Sequence, residues 1–161
     1  MMEMAGINNV RIDDRLIHGQ VATMWTNKLG VNRLMVVNDA VANNKIQKDM
    51  LRLATPAGVA SSIIPTAKAL HNIGMGKYQG QNVLLIVKSP VDLLPFLDNG
   101  FAFSTINVGN MSRRPGTRVL KPNISVLPEE EEAFHKLLDA GVEITTIMTP
   151  DDKKTYLKDI L

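Results

Sequence analysis

Residues 83–87, Val-Leu-Leu-Ile-Val, constrain this chain more than any other segment. Five apolar side chains in a row, with no polar alternation and with turn-forming residues on both sides, fit a strand covered on both faces. Such strands sit in the middle of parallel sheets. Parallel neighbours cannot be joined by tight hairpins, so the chain must supply long crossovers, usually helices. The rest of the sequence has that rhythm. Short apolar runs at 7–12, 34–37, 62–65, 105–108 and 142–148 read as further strands, and stretches of helical periodicity fall between them at 19–29, 41–54, 66–73, 90–97 and 128–140. The punctuation agrees. Gly30 and Gly100 stand where helices should stop, Thr55-Pro56 ends another, Ser89-Pro90 offers a cap followed by proline at the first helical position, and Glu129 to Glu131 place carboxylates at the positive end of a helix dipole. No repeat, linker or low-complexity tract interrupts the pattern. The expectation is an α/β fold: one domain over residues 1–161, a single doubly wound, mainly parallel sheet with helices on both faces.

Composition narrows what such a domain can do. With 45% apolar residues the chain can bury a substantial core, and without any cysteine it has no disulfide, thiolate nucleophile or cysteine-ligated metal. The formal net charge is +2, from 18 basic and 16 acidic side chains, too even for a protein built to grip nucleic acid. Aromatic residues are only 4% and Trp25 is the single tryptophan, so the stacking platforms of single-strand binders are missing too. No apolar run reaches the ~18 residues of a membrane-spanning helix, and the N-terminus lacks a signal-peptide pattern, which predicts a cytoplasmic protein. A Walker signature is also absent, because Gly76-Lys77 is followed by Tyr78 and no glycine stands at position 71.

Ligands of doubly wound sheets gather beyond the carboxyl ends of the strands, which directs attention to residues 13–19, 38–39, 88–90 and 107–118. The first of these holds Asp13, Asp14, Arg15 and His18 within six positions, between a strand and a helix. Near neutral pH the histidine offers a nucleophilic nitrogen, Arg15 a forked donor for phosphate oxygens, and Asp13 or Asp14 a carboxylate to hold the other imidazole nitrogen. The helix beginning near Gly19 and Gln20 adds unpaired amides, which favour an anion by about 0.3–1 kcal/mol. Together these outline a phosphohistidine site, against the plainer reading of a surface loop of mixed charge. The other two histidines fit bland roles: His71 lies near a helix end, His135 on an acidic helix, and neither shows the spacing of a helical metal pair. The methionines, Met24 and Met50 among them, are expected to fill gaps in the core, and Trp25 to pack against the sheet beneath the loop.

The stretch Arg11-Ile12-Asp13-Asp14-Arg15-Leu16-Ile17-His18-Gly19-Gln20-Val21, with Trp25 after it, resembles the signature of IIB subunits in the mannose/fructose/sorbose family of the sugar phosphotransferase system. Val36-Val37-Asn38-Asp39, Val83 to Lys88, and Asn107-Val108-Gly109-Asn110-Met111 resemble that family's later blocks, in order and spacing. The resemblance implies a cytoplasmic subunit, peripheral to a membrane transporter, that takes a phosphoryl group from a histidine of a IIA partner onto His18. It then passes the group to a sugar carried by membrane subunits IIC and IID. The residues themselves, read apart from the resemblance, put Arg15 and Asp13 beside His18 and phosphate near Asp14, Gly19 and Gln20, with neither cofactor nor metal expected. Two departures stand out: Asn110 replaces the family's more usual glycine, and the following loop carries Arg113, Arg114 and Arg118, a candidate basic rim for the donor protein. Two other functional classes remain open, a nucleotide- or sugar-phosphate-binding enzyme using His18 as acid or base, and a module that senses phosphorylation.

Overall fold

The computed structural model describes residues 2–161. Its central feature is a sheet of six strands: β1 (Ile7–Asp13), β2 (Arg33–Val37), β3 (Ala60–Ile64), β4 (Val83–Val87), β5 (Thr105–Asn110) and, last in the chain, β8 (Glu143–Thr145). Their order is β3-β2-β4-β1-β5-β8, and every pair is parallel. From β1 the chain passes over β4 to β2 and β3, returns to β4, then passes over β1 to β5 and β8. The winding direction therefore reverses between β1 and β4, and a crevice opens at their carboxyl ends.

The connections are the helices α1 (Gly19–Leu29), α2 (Asp39–Ala42), α3 (Lys45–Ala54), α4 (Thr66–Gly74), α5 (Leu94–Asp98) and α6 (Pro128–Asp139). β4 shows how they cover both faces. Val83, Leu85 and Val87 point into one core with Ile73 of α4, Phe96 of α5 and Phe134 of α6, while Leu84 and Ile86 point into a second with Ala22 and Trp25 of α1 and Val41 of α2. The fully buried apolar strand and the doubly wound architecture are as the sequence predicts.

Several boundaries differ, each for a local reason. The helix expected over 41–54 is two helices, because the Asn44 side chain accepts from the Gln47 amide and caps a new start. The apolar stripe of α3 turns outward: Ile46, Met50 and Leu53 are 73%, 63% and 88% exposed, so Met50 fills no core gap, and Met24 is also at the surface. Ser89 and Pro90 do begin a helix, but its first turn is of the tighter 3-10 kind over Pro90–Leu93. The strand expected over 142–148 is only three residues long, since the Thr146 amide leaves the ladder to donate to the Thr155 carbonyl at 2.8 Å. Between β5 and α6 the chain forms an unexpected antiparallel hairpin, β6 (Arg118–Lys121) and β7 (Ile124–Val126).

Candidate functional site

Side chains alternate along a strand, so Arg11 and Asp13 of β1 share one face, the face opposite Val10 and Ile12. Both charged residues are buried, at 3% and 1% exposure. Asp13 is satisfied by four donors: its Oδ2 accepts from Arg11 Nη2 at 3.2 Å and Arg15 Nη2 at 2.9 Å, and its Oδ1 accepts from the Arg15 amide and Arg15 Nε, both at 3.0 Å. A second bond from Arg11 Nη2 reaches the Met148 carbonyl at 3.0 Å, and the guanidinium lies 5.1 Å from the centre of the Trp25 ring. Its other neighbour is Gly109 of β5, where a Cβ would fall 1.9 Å from Nη2. Burial lowers the Arg11 pKa, partly offset by Asp13, whereas the hydrogen bond to Asp13 raises that of the more open Arg15.

The chain then turns sharply. The Leu16 amide donates to the Asp13 carbonyl at 2.9 Å, and Leu16 takes φ of +61°, a conformation rare for a residue with a branched side chain. Leu16 and Ile17 drop into the second core and anchor the loop, so His18 emerges on a fixed base at the first position outside α1. Its imidazole is exposed, and no side chain caps the helix. The amides of Gly19 and Gln20 thus have no intrahelical partner, and the space where a Gly19 Cβ would sit is open.

The expected carboxylate support for the imidazole is not what the structure has. Asp13 is committed to the two arginines, and Asp14 accepts from Asn110 Nδ2 and the Ser112 amide, both at 2.7 Å. Asp13 therefore acts on Arg15, holding it side-on through Nε and Nη2 and leaving the end-on pair of N–H groups at Nη1 and Nη2 for a ligand. Asp14, expected near the phosphate, is a strut between loops. The Arg15 loop also borders a shallow cleft of about 170 Å³ shared with Met50 and Lys88.

The arginine-rich loop does flank the site, through Ser112, but two of its cations are taken. Arg114 donates to the Ser112 and Ser125 carbonyls and to Glu130 at 2.9 Å, and Arg118 pairs with Glu131. Only Arg113 is exposed without an ion-pair partner among the described residues. His71 and His135 are exposed and remote in the fold, on α4 and α6. Sequence reasoning missed Arg11 and Asn110 as parts of the site. The i, i+2 spacing of Arg11 and Asp13 on a strand was the available signal for the first.

Comparison with known proteins gives the family of the chain and matches its fold. Residues 7–161 match the family model described as PTS system sorbose subfamily IIB component. The chain is 36% identical over 155 residues to the mannose-specific EIIAB component of Escherichia coli K12, covering 96% of this chain but 48% of that protein, so it spans about half the length of that relative. It is 33% identical to the sorbose-specific EIIB component of Klebsiella pneumoniae over 95% of this chain and 93% of the other. The crystal structure of the IIB domain of the sorbose permease from that organism superposes with a TM-score of 0.89 at 31% identity, over 99% and 95% of the two chains. A structure titled phosphoenolpyruvate-dependent phosphotransferase system gives 0.90 at 29% identity, over 96% of each chain. With an exposed histidine at an uncapped helix start and a family match from β1 to the last residue, the chain belongs to the sorbose subfamily of PTS IIB components.

Proposed function

We propose that His18 is a phosphoryl acceptor: it takes the group from a histidine of a IIA protein and hands it to a sugar hydroxyl during uptake. One observation carries this reading, the exposed imidazole fixed at the uncapped N-terminus of α1 beside an arginine pinned by a buried carboxylate. In the first step the neutral imidazole nitrogen of His18 attacks phosphorus, its N–P bond forms as the donor's breaks, and the donor imidazole leaves neutral. In the second step the sugar hydroxyl oxygen attacks phosphorus, its O–P bond forms as the N–P bond breaks, His18 leaves as neutral imidazole, and the hydroxyl proton passes to water. The Gly19 and Gln20 amides and the end-on edge of Arg15 neutralise charge on the transferring oxygens, so that catalysis rests on positioning and electrostatics. The reaction class is protein-phosphohistidine:sugar phosphotransfer, with IIA as donor and the membrane subunits IIC and IID presenting the sugar. No helix among the described residues is long and apolar enough to cross a membrane.

The test is labelling with phosphoenolpyruvate and the general phosphotransferase proteins plus a IIA partner. Parent protein should acquire acid-labile phosphate and lose it to sugar when the membrane subunits are added. His18→Ala should acquire none while its circular dichroism and melting stay unchanged; retained labelling in that variant would refute the assignment. His71→Ala should label like the parent.

A further inference from the structure

The face of the sheet that carries α1, α2 and α3 is covered only in part. The core on that side is built from β2, β3, β4 and the helices, and takes no residue from β5 or β8. Over β1, β5 and β8 the surface is instead a groove of about 350 Å³, within the range of small-molecule sites. It lies beside the far half of α1, away from His18.

Its floor mixes polar side chains with the apolar Val10, Leu84 and Ile106, where a covered strand would be apolar throughout. Asn9, Arg11, Asn107 and Thr145, at alternating strand positions, line it. Trp25 and Leu29 of α1 form one wall, Ile147 and Pro150 the other. Asn107 and Thr145 satisfy each other and the Ile147 backbone, so they shape the floor without needing a ligand. Arg11 differs: its Nη1 is the one buried side-chain nitrogen or oxygen without a hydrogen-bond partner among the described residues. Such a donor is costly to leave unmade. The charge is unbalanced as well, because Arg11 and Arg15 share the single carboxylate of Asp13. Two further cations, Lys28 and Lys154, border the groove with no ion-pair partner among the described residues, against one acid, Glu143. A positive floor between apolar walls selects an anion that carries an organic body.

We propose that this groove binds a small organic anion, a phosphate monoester or a carboxylate, with its charged head over Arg11 between Lys28 and Lys154 and its body against Trp25, Leu29 and Ile147. The site is separate from the loop that bears His18 and does not depend on the phosphoryl reading of that loop.

Trp25 is the only tryptophan and forms part of the wall, so its emission and its indole N–H signal report occupancy directly. Glucose 6-phosphate and gluconate, titrated separately, distinguish the two sources of the anion, with glucose as the neutral control. Either anion should give a saturable change at Trp25 that weakens as salt is raised, while glucose gives none. Reversing the two exposed lysines, Lys28→Glu with Lys154→Glu, should weaken the tighter anion by about tenfold without unfolding the protein, the effect of two reversed surface charges. Three results overturn the proposal: no saturable Trp25 response to either anion at millimolar concentration, equal affinity in the charge-reversed variant, or a response centred on the Gly19 and Gln20 amides with Trp25 unmoved.

Discussion

Replacing Gly109 by alanine tests whether the buried arginine is held as tightly as the geometry says. Gly109 has no left-handed backbone to relax, so only space is at stake. The added methyl would lie 1.9 Å from Arg11 Nη2, 2.2 Å from Cζ and 2.7 Å from Nη1, and the guanidinium must leave. Elsewhere a long side chain swings aside at little cost, but this one is 3% exposed and bonded to Asp13 and Met148. Breaking a buried ion pair destabilises by about 3–5 kcal/mol, and because Asp13 keeps Arg15 the lower end applies, about 3 kcal/mol. Urea unfolding followed by Trp25 emission measures it. With a slope of about 2 kcal/mol per molar, the midpoint should fall by about 1.5 M. In an Arg11→Met background the same glycine change should be nearly neutral, a coupling of about 2 kcal/mol or more. A midpoint shift below about 0.5 M, or equal losses in both backgrounds, would refute the clamp.

Three other outcomes are expected. Arg15→Lys keeps the charge but loses both the fork to Asp13 and the end-on edge, so phosphorylation of His18 by IIA should slow by about tenfold or more; a full labelling rate would remove the bidentate role. Asn110→Gly, the more usual residue at this position in the family that the sequence resembles, deletes the 2.7 Å bond to Asp14, and about 1 kcal/mol of local stability should be lost. The loss should appear as faster amide exchange at Ser112 with little change in global melting, and unchanged exchange would show that the strut is idle. Burial raises the pKa of Asp92 above its unfolded value, so its favourable contribution is complete below about 3.9 and is lost as pH rises through the folded pKa. Asp92→Asn keeps an acceptor for the Ser89 amide and does not titrate, so its stability relative to the parent should rise with pH across that window, and a flat difference would contradict the burial effect.

The sheet was legible because its evidence is local: five apolar residues at 83–87 need two covered faces, and Gly30 takes the left-handed conformation that ends α1. Periodicity revealed that α3 is amphipathic but not which side faces inward, and Ile46, Met50 and Leu53 point out. The β6–β7 hairpin left only a weak mark, Pro122-Asn123 between the apolar pairs Val119-Leu120 and Ile124-Val126, which the arginines before it obscured. At the site, the order of Asp13, Arg15 and His18 was readable, whereas the partners were not. Whether Asp13 serves the histidine or the arginines depends on Arg11 lying under Gly109, and whether Arg114 is free depends on Glu130 arriving from α6. Both are long-range pairings that no window of sequence contains.

The strand order also sets a schedule. β1 has no partner among its immediate successors: Ile7 lies beside Val83 and Arg11 beside Asn107. As the chain leaves the ribosome, β2 and β3 can pair first, β4 must then enter between β2 and β1, and β5 closes the far side. Contacts of such long sequence separation fold slowly and expose edges while they wait. Until Gly109 and Met148 arrive, the guanidinium of Arg11 has no bed and the turn after Asp13 lacks its tie to Asn110. The loop that carries His18 is made before the residues that brace it and is among the last parts of the domain to be fixed in place.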